Sequence, residues 1–280
     1  MDNIYIEYHF TVTPKEPGTE ILIAELGAAG FESFVENENG VTGYIQKEDW
    51  NPTLLDTIFV LTSDEFSIQY SKKEVEQTNW NAEWEKNFSP VFIEEYATIL
   101  APFHDGKDAV GMKVIIQPQM SFGTGHHQTT WMMTKALFEL GEMPSTVLDM
   151  GTGTGVLAVY AAKLGAKEVL AIDIEEWSAE NARENVGRNE CSNVECLWGD
   201  IDLVEGRNFG LIIANINKNI LKQHMEVYVY ALETNGTLLL SGFFVTDVDE
   251  VTNYCEAYKL KQTKVFTKDE WACIQLIKAK

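Results

Sequence analysis

A chain of 280 residues with 45% hydrophobic content exceeds what one small core requires and fits two folded units, one of ordinary size and one small. Its 43 acids against 21 bases leave a net charge of −22, which repels phosphate backbones and makes nucleic acid a poor partner, so no direct nucleic-acid binding is expected. No apolar run approaches the ~20 residues of a membrane-spanning helix, and Met1–Phe10 lacks a basic flank followed by a greasy segment, so a cytoplasmic monomer away from any membrane is expected.

The first 76 residues read as strand, helix, strand, strand, helix, strand. Ile4–Val12 alternates and is rich in β-formers. Thr19–Ala29 places Ile21, Leu22, Glu25, Leu26 and Ala29 at helical spacing before Gly30 stops it. Phe31–Val35 and Val41–Gln46 flank the turn Asn37-Glu-Asn-Gly40. Pro52–Leu61 reads as a second helix and Phe66–Val75 as the last strand. This order predicts a ferredoxin-like domain. Residues 1–80 carry 15 acids and four bases, a net of −11, so half of the excess charge lies on less than a third of the chain and points to a basic protein partner. A helical joint is expected over 77–95, where Trp80, Trp84 and Phe88 share one face and pack.

From residue 96 to 280, strands are expected at Thr146–Met150, Glu168–Asp173, Val194–Leu197, Gly210–Ala214, Thr237–Ser241, Lys259–Phe266 and Ala272–Ile277. Helices are expected at Thr129–Leu140, Gly155–Leu164, Glu176–Arg188, Lys218–Leu232 and Asp247–Ala257. Such alternation predicts an α/β fold, a doubly wound, seven-stranded, mostly parallel sheet with its ligand site at the carboxyl ends of the strands and an antiparallel final pair. The cysteines Cys191, Cys196, Cys255 and Cys273 have no paired spacing and no nearby histidines, so reduced core thiols are expected and no metal.

Two Gly-Thr-Gly runs start 28 residues apart, at Gly123 and Gly151. The second ends an apolar strand, Val147-Leu-Asp-Met150, and opens a helix through Gly151, Gly153 and Gly155; such a turn lets a ligand approach the backbone and offers free N–H groups to an anion. Asp173 follows 22 residues after Gly151 at the end of the next strand, where a carboxylate accepts hydrogen bonds from ribose hydroxyls; the competing reading is a cap for the helix at Glu176. A dinucleotide-binding dehydrogenase shares this plan, but its third glycine is spaced differently, and its sheet stays parallel. The G-x-G-x-G spacing resembles class I methyltransferases that use S-adenosylmethionine.

The resemblance extends along nearly the whole chain. Trp80-Asn-Ala-Glu-Trp84 with Phe88-Ser-Pro90, Ser121-Phe-Gly-Thr-Gly-His-His-Gln-Thr-Thr130, Val147–Ala158, Lys163-Leu-Gly-Ala166, Ala171-Ile-Asp-Ile174 and Ile213-Ala-Asn-Ile216 occur in order. Together they resemble the ribosomal protein methyltransferases of the PrmA type, which modify lysines and the N-terminal amine of large-subunit protein number eleven. The resemblance implies S-adenosylmethionine as cofactor, a basic ribosomal protein as substrate and substrate recognition by the N-terminal domain. It implies that Gly151–Gly155 hold the amino-acid end of the cofactor, with Phe122, Gly123 and the loop to Thr130 lying over it. Thr130, Gly151, Asp173 and Asn215 match family binding positions. Asp200 is a candidate for the adenine amine, although Gly199-Asp200 reads equally as a turn.

Two segments depart from the family pattern. Gln117-Pro-Gln-Met-Ser121 replaces an Asp-Pro-Gly-x-Ala run, and Ile216-Asn-Lys-Asn219 replaces an apolar one, bringing Lys218 unexpectedly near an incoming amine. Lys218 leaves open a methyltransferase for another protein or a small amine; a non-catalytic ribosome-binding module is a third reading. Asn215 is the expected catalytic group, orienting the amine, with His126 or His127 as base in a competing reading.

Overall fold

In the computed structural model the described residues are 4–76, 85, 87–119 and 121–280. The chain divides into two compact units, Met1–Phe88 and Ser89–Lys280. The face expected from Trp80, Trp84 and Phe88 lies on residues 77–88, most of which fall outside the described set.

In the first unit, strands β1 (Ile4–Thr13), β2 (Ser33–Asn37), β3 (Gly40–Gln46) and β4 (Ser67–Glu76) form an antiparallel sheet in the order β2-β3-β1-β4. Ile6, Tyr8, Phe10 and Val12 alternate inward from β1 and pack with Leu22 and Leu26 of helix α1 (Lys15–Ala28). Full burial of each such leucine contributes about 1.5–3 kcal/mol. Topology and strand order are those of the expected ferredoxin-like domain. The second helix expected at Pro52–Leu61 is absent: two short 3₁₀ turns, Leu54–Thr57 and Phe59–Leu61, stand there. The Asn51 carboxamide accepts from Thr53 N at 3.1 Å and Thr53 Oγ1 at 2.8 Å, a local turn that competes with a helical start.

The second unit begins with a small sheet, β5 (Val91–Ile93), β6 (Ala97–Leu100) and β7 (Met112–Ile115), which the sequence reading did not anticipate. Residues 91–93 therefore form a strand inside the stretch expected to be a helical joint. A seven-stranded sheet follows: β8 (Thr146–Met150), β9 (Glu168–Asp173), β10 (Val194–Trp198), β11 (Phe209–Asn215), β12 (Leu232–Phe244), β13 (Leu260–Lys268) and β14 (Trp271–Lys278). Its order is β10-β9-β8-β11-β12-β14-β13, parallel through β12, with β14 antiparallel to both neighbours as expected. Helices α2 (Gln128–Phe138), α3 (Val156–Lys163), α4 (Glu176–Arg188), α5 (Lys218–Ala231) and α6 (Val248–Glu256) accompany it, and two buried apolar clusters cover its opposite faces. The chain runs outward from β8 through β9 to β10, then returns to the other side of β8 with β11. Between β8 and β11 the winding reverses, and the crevice at such a reversal is where doubly wound sheets hold their ligands.

Candidate active site

β8 delivers Gly151-Thr-Gly-Thr-Gly155 to the carboxyl edge of the sheet, where Gly151 N and Thr152 N both donate to the Ile172 carbonyl, at 2.9 and 3.0 Å. The two Gly-Thr-Gly runs are stitched to each other through Thr154. Its backbone N donates to the Phe122 carbonyl at 2.9 Å and its hydroxyl to the Gly123 carbonyl at 2.7 Å. Gly153 adopts φ +55°, and a Cβ there would lie 2.1 Å from the Phe122 carbonyl oxygen, so only glycine permits this approach. The first run is thus the cover of the second. The Phe122 ring, 53% exposed, stands above the loop against His127 at 5.0 Å between centroids.

Two carboxylates shape the loop from beneath. Asp173 accepts from Gly153 N at 2.8 Å through one oxygen and from Glu175 N at 3.0 Å through the other. It therefore braces the glycine turn and ties down the approach to α4, but it is not the helix cap: the N-cap is Glu175, which makes no side-chain cap bond. Each carboxylate oxygen retains a further lone pair for another donor. Asp149, buried in β8, accepts from Thr152 Oγ1 at 2.7 Å and Ala158 N at 3.1 Å, joining the strand, the loop and α3. Burial pushes its carboxyl up to about 6, with the Asp173 charge adding to the effect and the two hydrogen bonds opposing it.

Because that value lies above the ordinary carboxylate value, the folded protein binds more protons at this site than the unfolded chain between about pH 4 and 6. The contribution to stability falls as pH rises through that window and is level above it. About two pH units correspond to at most ~3 kcal/mol. Asp149→Asn, with no proton to exchange, is expected to lose that part of the slope. Denaturant titration at pH 4.5 and 6.5 measures it; equal slopes in the two proteins would show that this carboxyl is not perturbed.

Across the crevice, Ile216 packs on the glycine loop so closely that a Cβ at Gly151 would lie 2.2 Å from its Cγ2. This contact brings the end of β11, with Asn215, to the glycine turn. The Asn215 Oδ1 is buried with no partner among the described residues, and so is the Thr130 hydroxyl in the first turn of α2. Buried polar atoms left open in this way are costly unless a ligand completes them. Asn217 caps α5 by accepting from Asn219 N at 2.9 Å. The Lys218 ammonium turns to Asp247 at 2.6 Å and Glu250 at 2.8 Å, and these hydrogen bonds raise its pKa. Its charge is committed to the start of α6 and the residue before it, which removes the reason for reading it as a group facing the amine.

Asp200 begins a 3₁₀ turn and accepts from Ile201 N at 2.7 Å, while the preceding Gly199 N donates to the Asp173 carbonyl at 2.9 Å. It thus stands at the strand end beside Asp173, its carboxylate exposed. The histidines have structural duties. His127 Nδ1 accepts from Thr129 N at 3.3 Å as the cap of α2, and burial lowers its pKa; His126 Nε2 meets the Ser89 carbonyl at 3.0 Å. The sequence reading missed Asp149 and Thr154 as architects of the loop. An acid inside an otherwise apolar strand was the available signal for the first; nothing in the residue type marks the second.

The polar inventory is of a kind that could hold S-adenosylmethionine: a glycine turn with approachable backbone, a carboxylate at the next strand end, and buried groups at Thr130 and Asn215 without partners among the described residues. A family model described as ribosomal protein L11 methyltransferase (PrmA) matches residues 18–279. Ribosomal protein L11 methyltransferases of Bacteroides fragilis and Porphyromonas gingivalis are 37% and 39% identical to the chain. The first alignment covers 98% of this chain and 99% of the relative; the second covers 97% of each. A solved ribosomal protein L11 methylase from Lactobacillus delbrueckii subsp. bulgaricus aligns with a TM-score of 0.64 at 25% identity, over 69% of this chain and all of the other. With a family model spanning almost its full length and relatives this similar end to end, the chain belongs to the ribosomal protein L11 methyltransferase (PrmA) family.

Proposed function

We propose that this protein transfers methyl groups from S-adenosylmethionine to lysine side chains and the N-terminal amine of ribosomal protein L11, in the cytoplasm. The observation that carries the reading is the pair of interlocked Gly-Thr-Gly loops at the reversal point of a class I sheet, in a chain matched end to end by L11 methyltransferases. Gly151, Gly153 and Gly155 would hold the amino-acid end of the cofactor, Asp173 its ribose hydroxyls, and Phe122, Gly123 and Thr130 would lie over it. Asp200 would reach the adenine amine. When bound, S-adenosylmethionine supplies an electrophilic methyl group on a positively charged sulfur.

The protein's task is then to receive a neutral amine and aim it. At pH 7 about one lysine amine in 2,500 is neutral, against roughly one α-amine in ten. A dry pocket carrying a positive charge lowers either pKa, so the proton leaves to water, and no strong base is required. Asn215 Oδ1, an acceptor without a partner among the described residues, would take an N–H of the amine and turn its lone pair toward the methyl group. Alignment of this kind supplies much of the rate in bimolecular transfers brought to one site. The unit Met1–Phe88, which contains all of the −11 of residues 1–80, would attract the basic substrate.

The test is incubation of the full chain with S-adenosylmethionine and purified L11, read by intact and peptide mass spectrometry. Stepwise methyl increments on lysines or the N-terminal amine are expected. Cofactor binding without any increment on L11, together with methylation of another protein or a small amine, would reject the substrate and keep the chemistry.

A further inference from the structure

Helix α4 buries a polar stripe where an amphipathic helix would bury apolar side chains. Ser178, Asn181, Asn185 and Asn189 all face inward, with Asn185 fully buried. Each bonds the chain that runs from the end of the small sheet to the covering loop. Asn189, just past the helix end, receives Ile115 N at 2.9 Å and donates to the Ile115 carbonyl at 2.7 Å. Asn181 donates to the Gln117 carbonyl at 3.4 Å, and the Ser178 hydroxyl to that of Ser121 at 3.3 Å. These partners include the Gln117–Ser121 segment that departs from the family pattern.

Asn185 differs from its neighbours in having two clients. Its Oδ1 accepts from Gln117 N at 2.8 Å, with Arg188 Nη1 also at 3.2 Å, while its Nδ2 donates to the Thr154 carbonyl at 2.9 Å. Thr154 already holds Phe122 and Gly123 through its N–H and hydroxyl. One rigid amide therefore spans the glycine loop on one side and the root of the loop that covers it on the other. The register of cover over cradle is set by three groups of Thr154, and Asn185 fixes the third.

We propose that Asn185 is a positioning residue for cofactor binding: it locks the glycine loop to the segment leading into the covering loop, so that the two Gly-Thr-Gly runs close on a ligand with fixed spacing. This rests on the reading of those runs as the cofactor seat. Asn189 provides the internal control, since its side chain makes at least as many buried hydrogen bonds, including one to the Asn185 carbonyl at 2.8 Å, but touches neither run.

The experiment is calorimetric titration of S-adenosylmethionine into the wild-type chain, Asn185→Ala and Asn189→Ala, at a temperature where thermal melts show all three folded. Asn185→Ala is expected to weaken binding at least fivefold while Asn189→Ala stays within twofold of wild type, even when both lower the melting temperature equally. Should Asn185→Ala not yield folded protein, Asn185→Ser, which keeps one hydroxyl, is read in the same way. Unchanged affinity in the Asn185 variant, or equal losses in both variants, would overturn the positioning role. Failure of the wild-type chain itself to bind would instead overturn the cofactor seat.

Discussion

Replacing Gly153 with alanine is expected to weaken cofactor binding about thirtyfold or more while leaving the first unit folded. The added Cβ would lie 2.1 Å from the Phe122 carbonyl oxygen, a backbone atom that cannot rotate away as a side chain can. A left-handed conformation at a residue with a Cβ costs roughly 1–2 kcal/mol, and forced overpacking about 1–3 kcal/mol more. Relief requires moving Phe122 off Thr154, which breaks the bond holding cover to cradle. Calorimetry should therefore show a loss of affinity of about thirtyfold or more, with a lower melting temperature for the second unit. Near-normal affinity would mean that the two runs need not touch for the cofactor to bind.

Asp173→Ala carries the second large effect, through two roles at once. In the folded chain its oxygens brace Gly153 N and Glu175 N, and hydrogen bonds to a charged acceptor are worth about 1.5–3 kcal/mol each. Removing them loosens the turn and the helix entry before any ligand arrives. If the same carboxylate also receives the ribose hydroxyls, affinity falls at least tenfold beyond what the looser loop explains. Binding of methionine alone and of the whole cofactor separates the two: loop damage weakens both, whereas loss of the sugar contact weakens only the second. Equal losses for both ligands would leave Asp173 a brace and no more.

The sequence conveyed the second unit well because its signals were long and mutually consistent. Thr146–Met150, Glu168–Asp173 and Glu176–Arg188 emerged at the bounds expected, each a clean apolar run or helical period ended by a glycine turn, an acid or a cap. β12 runs from Leu232 to Phe244, longer than Thr237–Ser241: Leu232 pairs with Phe209, the turn-forming Glu233-Thr-Asn-Gly236 bulges out of the ladder with Asn235 at φ +63°, and pairing resumes at Thr237. The small sheet at residues 91–115 consists of strands of three and four residues, too short to show a period. In the first unit, Pro52–Leu61 has helical spacing of apolar residues, but the Asn51 side chain captures the start locally.

The site was legible as a set of positions and not as a mechanism of assembly. Motif spacing singled out the glycine loop and Asp173, and the family resemblance Asn215, yet neither gave a hint that the two Gly-Thr-Gly runs meet through Thr154. The bond of Asp173 to Gly153 also lay outside their reach, since a backbone partner 20 residues away leaves no trace in residue type, whereas the bond to Glu175, two residues on, is a local contact of the kind the cap reading anticipated. Lys218 misled for a similar reason: proximity in sequence to Asn215 implied proximity to the amine, and only the fold revealed Asp247 and Glu250 as its destination. Its ammonium and that of Lys222 hold the Glu250 carboxyl down to about 2.

A crystal of the full chain grown with S-adenosylmethionine addresses the shared cofactor seat most directly. The expected density places the sugar at Asp173 and the amino-acid end over Gly151–Gly155, roofed by the Phe122–Thr130 loop. A nucleoside bound elsewhere, or an empty crevice at saturating cofactor, would contradict it.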